Sequence, residues 1–198
     1  MTVILASQSA ARRALLQSAG VKFETRSPMV DEDAARQALR AQGNSARDLA
    51  DALAELKAIK ISKRSPADLV IGCDQTLSLD DGSMIDKAAT RDQLRDQLLR
   101  MSGRTHDLWS AVVVAENGTP VWRNIIRCRM GMRSLSPQFI DHYLECEGDA
   151  LLRCVGGYRF EGLGIQLFNA VDGSHDAILG LPLLPLLEML RLRATIMT

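Results

Sequence analysis

The stretch LVIGCDQTLSL, residues 69–79, contains the strongest strand pattern of this chain. Its run of apolar residues predicts a strand, but Asp74 and Gln75 interrupt the run near its middle. A carboxylate is costly to bury unless a cation or a metal ion pairs with it. Asp74 is therefore either a metal ligand or general base, or a side chain at the sheet edge that points to water.

Strands and helices alternate on both sides of this stretch. The predicted strands are 3–6, 21–27, 69–79, 108–115, 121–132 and 165–171. The predicted helices are 10–19, one that ends before Gly43, 45–62, 90–101, one that starts at Ser136-Pro137, and 182–193. On helix 45–62 the buried face is predicted to hold Leu49, Leu53, Leu56 and Ile59. With a turn at Asn117-Gly118, this order predicts an α/β fold with a mixed sheet and flanking helices.

Length and composition limit the class of protein. The length of 198 residues predicts one domain over residues 1–198. Basic and acidic residues balance at 24 each, which argues against nucleic acid or an anionic membrane as a partner. No apolar run is long enough to span a membrane, and the N-terminus lacks a signal-peptide pattern, so a cytoplasmic location is expected. No two cysteines form a C-x-x-C pair, so reduced thiols are expected rather than a zinc site.

The stretch LASQSAARR, residues 5–13, brings two arginines to the start of the first predicted helix. Exposed amides at a helix N-terminus favour anions, and guanidinium groups match phosphate oxygens. Arg12 and Arg13 are thus either phosphate ligands or solvated surface groups. The chain contains neither the P-loop nor the Rossmann glycine pattern, which argues against those two kinds of nucleotide site.

Three further charged residues are weaker candidates by themselves. Lys57 lies on a predicted helix and Lys87 follows a predicted turn, and lysines in such places are usually solvated. Glu161 lies in the stretch GGYRFEG, residues 156–162, whose glycines let a backbone approach a ligand closely. This glutamate either accepts a pair of hydrogen-bond donors or is an exposed residue of a tight turn.

Taken together, these segments resemble the Maf family of nucleoside triphosphate pyrophosphatases over nearly the whole chain. The resemblance rests on six segments: LASQS with Arg12-Arg13, VDE at 30–32, IGCDQ at 71–75, SGRTH at 102–106, GGY with EG at 156–162, and GLPL at 180–183. It implies a mixed α/β fold of the Maf and ITPase kind, with a deep central cleft. It also implies hydrolysis of the α–β phosphoanhydride of a nucleotide, a divalent cation (Mg²⁺ or Mn²⁺) and a homodimer.

The site residues of the family carry over onto matching positions of this sequence. Asp74 matches the catalytic carboxylate that accepts the proton, and together with Glu32 it is expected to hold the metal ion. The other matches are residues expected to bind the substrate phosphates, namely Ser7, Arg12, Arg13, Lys57 and Lys87. Carboxylate oxygens suit Mg²⁺ or Mn²⁺, and the cationic side chains would offset the charge of departing pyrophosphate.

Three positions bear on the choice of base. Gln75 and Glu161 resemble the family branch that acts on 7-methyl-GTP, since a carboxylate accepts hydrogen bonds from the adjacent N–H donors of a guanine edge. Ala11 departs from that branch, which has a large aromatic residue there that could stack on the charged base. A second departure is Asp86-Lys87-Ala88, where the family has Gly-Lys-Pro. The expected substrate is 7-methyl-GTP, and the alternatives are dTTP and UTP, or nucleotide binding without turnover in a regulator of cell division.

Overall fold

The computed structural model describes residues 1–197, which form two compact units. The first unit contains residues 1–75, 110–126 and the chain from residue 174 onward, and the second contains residues 76–109 and 127–173. Among the described residues, no helix is long and apolar enough to cross a membrane. The single domain, the central cleft, the homodimer and the cytoplasmic location stay predictions.

The strands form one mixed sheet in the order β2-β1-β3-β5-β6-β7, with β4 paired to β3. The strands are β1 (Val3–Ala6), β2 (Glu24–Thr25), β3 (Leu69–Leu79), β4 (Met84–Ile85), β5 (Thr105–Glu116), β6 (Thr119–Met132) and β7 (Phe168–Asp172). The helices are α1 (Ala10–Ser18), α2 (Glu32–Ala41), α3 (Ala46–Ser62), α4 (Arg91–Met101), α5 (Pro137–Glu147), α6 (His175–Ile178) and α7 (Leu183–Leu192). The predicted α/β fold with a mixed sheet and flanking helices is confirmed.

Local sequence patterns locate the central elements correctly. The predicted bounds of β1 and β3 are confirmed, and α3 follows Ser45, whose hydroxyl accepts a hydrogen bond from the amide of Asp48. The turn between β5 and β6 is also confirmed. Its residues Asn117 and Gly118 both have positive φ, 48° and 74°, as the favoured two-residue hairpin turn requires.

Two predicted strands are wrong in their extent. Of residues 21–27, only Glu24–Thr25 forms a strand, because its partner β1 is four residues long and the parallel register matches two positions. Of residues 165–171, the first three belong to a 3-10 helix, and β7 begins at Phe168. The length of a short strand depends on the neighbour it pairs with, which a local pattern does not encode.

The core of the first unit packs around the parallel strands β1 and β3. Helix α3 buries Leu49 and Leu53 fully, as predicted, but Leu56 is 39% exposed, so the predicted face is wrong at that position. Lys57 is buried instead, at 5% exposure. The helix contacts β3 through the small residues Ala54 and Ala58. The buried face of the helix therefore differs from the face that the leucine positions alone predict.

Gly72 allows the close contact between α3 and β3. A Cβ atom at this position would overlap the carbonyl oxygen of Ala54 and would lie 2.7 Å from the amide nitrogen of Ala58. The backbone of α3 therefore rests directly on the strand, at a separation that a larger residue would not permit. Because side chains alternate along a strand, Asp74 faces the same helix two residues later.

The glycine pair 156–157 serves packing inside the second unit. Both residues are buried and have positive φ, 76° and 67°. A Cβ atom at Gly157 would overlap the side chain of Leu94, and one at Gly156 would lie 2.7 Å from the rings and methyl groups of Tyr158 and Leu77. Internal packing thus requires glycine at both positions.

Aromatic side chains surround His106 in the second unit. The His106 ring centre lies 5.7 Å from that of Tyr158 and 5.9 Å from that of Phe168, and its Nε2 is 2.8 Å from the Tyr158 hydroxyl. Nδ1 is buried without a hydrogen-bond partner in residues 1–197. Burial lowers the pKa of His106 to about 4, against a smaller opposing effect of the Asp107 carboxylate. The ring is therefore neutral at pH 7 and serves packing.

We expect acid to destabilise the protein through His106, by about 2 kcal/mol between pH 7 and pH 5. The unfolded chain protonates this ring near its ordinary pKa of 6.5, whereas the folded protein does so only near 4. Between those values the unfolded state binds more protons, so the free energy of unfolding falls as the pH falls. Urea unfolding at both pH values should show a smaller fall in His106→Gln than in the wild type. Equal falls would contradict this expectation.

Candidate active site

A cluster of charged side chains lies in the first unit, where α2, α3 and β3 meet, and its members Lys57 and Asp74 are buried. Lys57 Nζ lies 2.7 Å from Asp74 Oδ1 and 2.8 Å from a carboxylate oxygen of Glu32. Asp74 is 4% exposed, so the alternative in which it points to water from the sheet edge is wrong. The cluster brings together both predicted metal ligands and one predicted phosphate ligand.

The second carboxylate oxygen of Asp74 faces α2. Oδ2 is buried and makes no hydrogen bond within residues 1–197, and Nη2 of Arg36 lies 3.8 Å from it. That separation is within ion-pair range but beyond hydrogen-bond distance. Asp74 is thus fixed at one oxygen, while the lone pairs of the other oxygen are not used by a hydrogen bond.

Helix α2 supplies two members of this cluster. The helix begins at Glu32 because Asp31 caps it, with a carboxylate oxygen that accepts a hydrogen bond from the amide of Ala34 at 3.0 Å. Glu32 and Arg36 are four residues apart on the helix and so share one face. That face presents a carboxylate to Lys57 and a guanidinium group to Asp74.

The carboxyl end of β1 leads directly into the predicted anion-binding segment. β1 ends at Ala6, which pairs with Gly72 in the parallel register. Ser7 follows β1, and Asp74 lies two residues beyond Gly72 on β3. Both residues therefore lie at the carboxyl edge of the parallel strands, where ligands bind in open α/β sheets.

Backbone carbonyl groups hold the side chain of Arg12. Its Nε donates to the carbonyl oxygen of Gly180 at 2.8 Å, and its Nη1 donates to that of Cys73 at 3.0 Å. Nη1 also lies 3.4 Å from the Ser7 hydroxyl, which joins two of the predicted phosphate ligands. The guanidinium group thus links α1 to β3 and to the turn before α7, and its Nη2 makes no hydrogen bond within residues 1–197.

Arg13 and Ala11 are not joined to the charged cluster. The side chain of Arg13 is exposed, and that of Ala11 is half-buried. No hydrogen bond or ion pair in the described part of the chain links Arg13 to the cluster members Glu32, Lys57 and Asp74. The role of Arg13 in phosphate binding therefore stays a prediction, and so does the role of Ala11 in the selection of the nucleobase.

Three acceptors fix the amide group of Gln75. Its Nε2 lies 2.8 Å from Ser110 Oγ, 3.0 Å from the carbonyl oxygen of Ile178 and 3.3 Å from that of Ala177. The Ser110 hydroxyl donates its proton to Ala177 at 2.6 Å, so it accepts from Gln75. Carbonyl oxygens only accept, and the amide nitrogen must therefore face them. This orientation leaves Oε1 of Gln75 as an acceptor, and the side chain lies on the opposite face of β3 from that of Asp74.

Lys87 and Glu161 lie in the second unit, where the charges of both act on the thiol of Cys154. Burial is the main cause that raises the pKa of Cys154, the Glu161 carboxylate adds to it, and the charge of Lys87 opposes it. Glu161 pairs with Nε of Arg159 at 3.3 Å, and Nη1 of Arg159 pairs with Glu147 at 3.0 Å. Glu161 is therefore an exposed residue of a turn, as one of the two alternatives predicts, and its carboxylate is paired with a cation.

The carboxylates of Glu32 and Asp74 are oxygen donors of the kind that a divalent cation takes, and both contact Lys57 Nζ, at 2.8 Å and 2.7 Å. No group of three or more histidine, cysteine, aspartate or glutamate side chains within residues 1–197 is arranged to hold a metal ion. Mg²⁺ commonly takes one or two carboxylates and completes its shell with water and substrate phosphates. Glu32 and Asp74 would supply such carboxylates, and their role as metal ligands stays a prediction.

Cys73, the neighbour of Asp74, is not a candidate nucleophile. Burial raises the pKa of its thiol to about 11, although the charges of Arg12 and Lys57 lower it in part. The thiolate is the nucleophilic form, and a thiol with this pKa stays protonated at neutral pH. All four cysteines are free thiols, as the sequence predicts.

Comparison with known proteins identifies the family of this chain. Residues 2–193 match the family described as Maf-like protein. This chain belongs to the Maf family. A nucleoside triphosphate pyrophosphatase of Caulobacter vibrioides is 50% identical to this Maf chain over 98% of its length and 96% of the relative. A 7-methyl-GTP pyrophosphatase of Brucella suis is 48% identical over 96% of each chain.

Among solved structures, the match with a nucleoside-triphosphatase (dITP/XTP pyrophosphatase) of Mycobacterium abscessus covers 98% of this Maf chain and 95% of the other. Its sequence identity is 19% and its TM-score is 0.42.

The structure of this Maf protein adds Arg36 to the residues around Asp74. The sequence contains one signal that could have indicated it, since Arg36 follows Glu32 by four residues on a predicted helix and so shares its face. That signal is weak, because spacing of this kind is common on solvated helices. The sequence also does not indicate Ser110 as a partner of Gln75. The two residues are 35 positions apart, and only strand pairing brings them together.

Proposed function

We propose that this Maf protein hydrolyses nucleoside triphosphates to the monophosphate and pyrophosphate, with 7-methyl-GTP as its substrate. The names of relatives that are 45–50% identical support the reaction, since several are nucleoside triphosphate pyrophosphatases. The name of the relative from Brucella suis supports the base. The observation that carries the proposal is the buried Asp74, which Lys57 holds at 2.7 Å through one oxygen only.

Asp74 is the residue that we assign as general base. Its Oδ2 accepts the proton of a water molecule whose oxygen attacks the α-phosphorus. The bond from this phosphorus to the bridging oxygen then breaks, and pyrophosphate leaves with the electron pair. Lys57 keeps the carboxylate oriented through Oδ1, so the proton-accepting oxygen stays at a defined place.

Cationic side chains offset the charge that develops on the phosphates. Nη2 of Arg12 is available for this purpose while its other nitrogens fix the side chain, and Arg13, Ser7 and Lys87 are further proposed phosphate ligands. A fixed cation stabilises a developing charge better than a mobile one, because it needs no reorganisation during the reaction. A divalent cation held by Glu32 and Asp74 would supply further stabilisation of the phosphate charges.

The proposed nucleobase of the substrate, 7-methylguanine, follows from the polarity of two side chains. Gln75 offers an acceptor, because its amide nitrogen is bonded to Ser110 and the end of α6. Glu161 offers a second acceptor. Guanine presents adjacent N–H donors, which such groups match. Ala11 departs from the 7-methyl-GTP branch, because its methyl group offers no ring to stack on a positively charged base, and dTTP or UTP is the alternative substrate.

Replacement of Gln75 by methionine should lower kcat/KM for 7-methyl-GTP by about tenfold, the effect of one lost hydrogen bond to the base. Methionine keeps the length of the side chain but offers no amide acceptor. ATP has no N–H in its six-membered ring, and its turnover should change less. Steady-state kinetics with both nucleotides measures the difference. Equal losses for both would contradict a contact between Gln75 and the base.

The proposed function is tested by incubation of the purified protein with Mg²⁺, or with Mn²⁺, and with 7-methyl-GTP, GTP, UTP, dTTP and ATP in turn. Pyrophosphate release is measured for each nucleotide. Fastest release from 7-methyl-GTP supports the proposal. Faster release from UTP or dTTP would overturn the proposed nucleobase but would still support the proposed reaction. Nucleotide binding without release would overturn the reaction and favour a binding protein.

A further inference from the structure

We propose that Arg36 is a positioning residue for Asp74, a role that rests on the proposed function of Asp74 as general base. Nη2 of Arg36 lies 3.8 Å from Asp74 Oδ2, and its side chain is 16% exposed. Lys57 holds Oδ1 on the other side of the carboxylate. The two cations thus flank the two oxygens and fix the orientation of the carboxylate.

The charges of the cluster support this role. Lys57 carries one positive charge but pairs with two carboxylates, Glu32 at 2.8 Å and Asp74 at 2.7 Å. Arg36 adds the second positive charge and makes the cluster neutral. Without it, the cluster would carry a net negative charge, which would repel an incoming triphosphate. A guanidinium group suits this task because its planar fork of N–H donors matches the geometry of a carboxylate.

The distance between Arg36 and Asp74 is also suited to a positioning role. At 3.8 Å the two groups attract each other as an ion pair but do not form a hydrogen bond. A direct hydrogen bond would occupy a lone pair of Oδ2. The observed separation leaves that lone pair for the proton of the attacking water, while the attraction still favours one orientation of the carboxylate.

Arg36→Gln tests the proposal, with Arg36→Lys as the conservative variant and Arg47→Gln as the control. Arg47 also pairs with an aspartate, Asp48 at 3.1 Å, but both side chains are half exposed. We expect Arg36→Gln to lower kcat for pyrophosphate release about 10- to 100-fold at unchanged KM, as for residues that orient a catalytic group. Arg36→Lys should recover most of the loss, and Arg47→Gln should match the wild type. A kcat equal to that of Arg47→Gln, or a loss confined to KM, would overturn the proposal.

A second measurement does not depend on turnover. The unfolding midpoint in urea is compared for Arg36→Gln, Asp74→Asn and the double variant. If Arg36 interacts with Asp74, its loss should shift the midpoint in the wild-type background and less in the Asp74→Asn background. Equal shifts in both backgrounds would overturn the pairing. If the wild type itself releases no pyrophosphate, the proposed function fails, and this comparison still decides whether the two residues are coupled.

Discussion

Asp74→Asn should lower the kcat of pyrophosphate release about 100- to 10,000-fold, the usual contribution of a positioned general base. Asparagine has nearly the same shape as aspartate, but its amide does not accept the proton of a water molecule. Lys57 keeps Glu32 as a partner at 2.8 Å in this variant, so the charge of this buried lysine stays paired and the fold should persist. Steady-state release of pyrophosphate and circular dichroism of the same sample measure the two effects.

The matched control for this variant is Asp68→Asn. Asp68 lies just before β3, where its Oδ1 accepts a hydrogen bond from the amide of Thr2 at 3.0 Å. The amide oxygen of asparagine can accept the same bond, so kcat and stability should both stay near the wild-type values. Activity in Asp74→Asn equal to that of Asp68→Asn would show that Asp74 is not the base.

Lys57→Met should lower the free energy of unfolding by about 3–5 kcal/mol, the usual cost when one partner of a buried ion pair is removed. Methionine fills a similar volume, but it leaves the Oδ1 of Asp74 buried without the hydrogen bond that Lys57 donates at 2.7 Å. Arg36 lies 3.8 Å from the other oxygen and does not replace that bond. Urea unfolding at pH 7 measures the loss.

Two companion variants separate the charge effect from the effect of a changed helix. Lys63→Met replaces an exposed lysine directly after the same helix α3 and should leave stability near the wild-type value. In the double variant Lys57→Met with Asp74→Asn, the buried charge of Asp74 is removed together with its partner, so much of the lost stability should return. A single variant Lys57→Met as stable as Lys63→Met would contradict the buried pair.

Sequence patterns alone determined the central elements of this Maf protein. Apolar runs located β1 and β3, and the capping residue Ser45 located the start of α3. The same reasoning singled out Asp74, because a carboxylate inside an apolar strand needs a partner. These inferences hold because periodicity, caps and the cost of burying a charge depend on residues that are close in sequence.

Tertiary structure alone decided which partner each polar group has. A lysine on a helix is usually solvated, yet Lys57 is buried, because Gly72 lets the backbone of α3 rest on β3 beside Asp74. Arg12 is fixed by carbonyl groups of residues 61 and 168 positions away in the chain. Hydrogen bonds and ion pairs act over a few ångströms in space, and local sequence does not encode which distant residues the fold brings within that range.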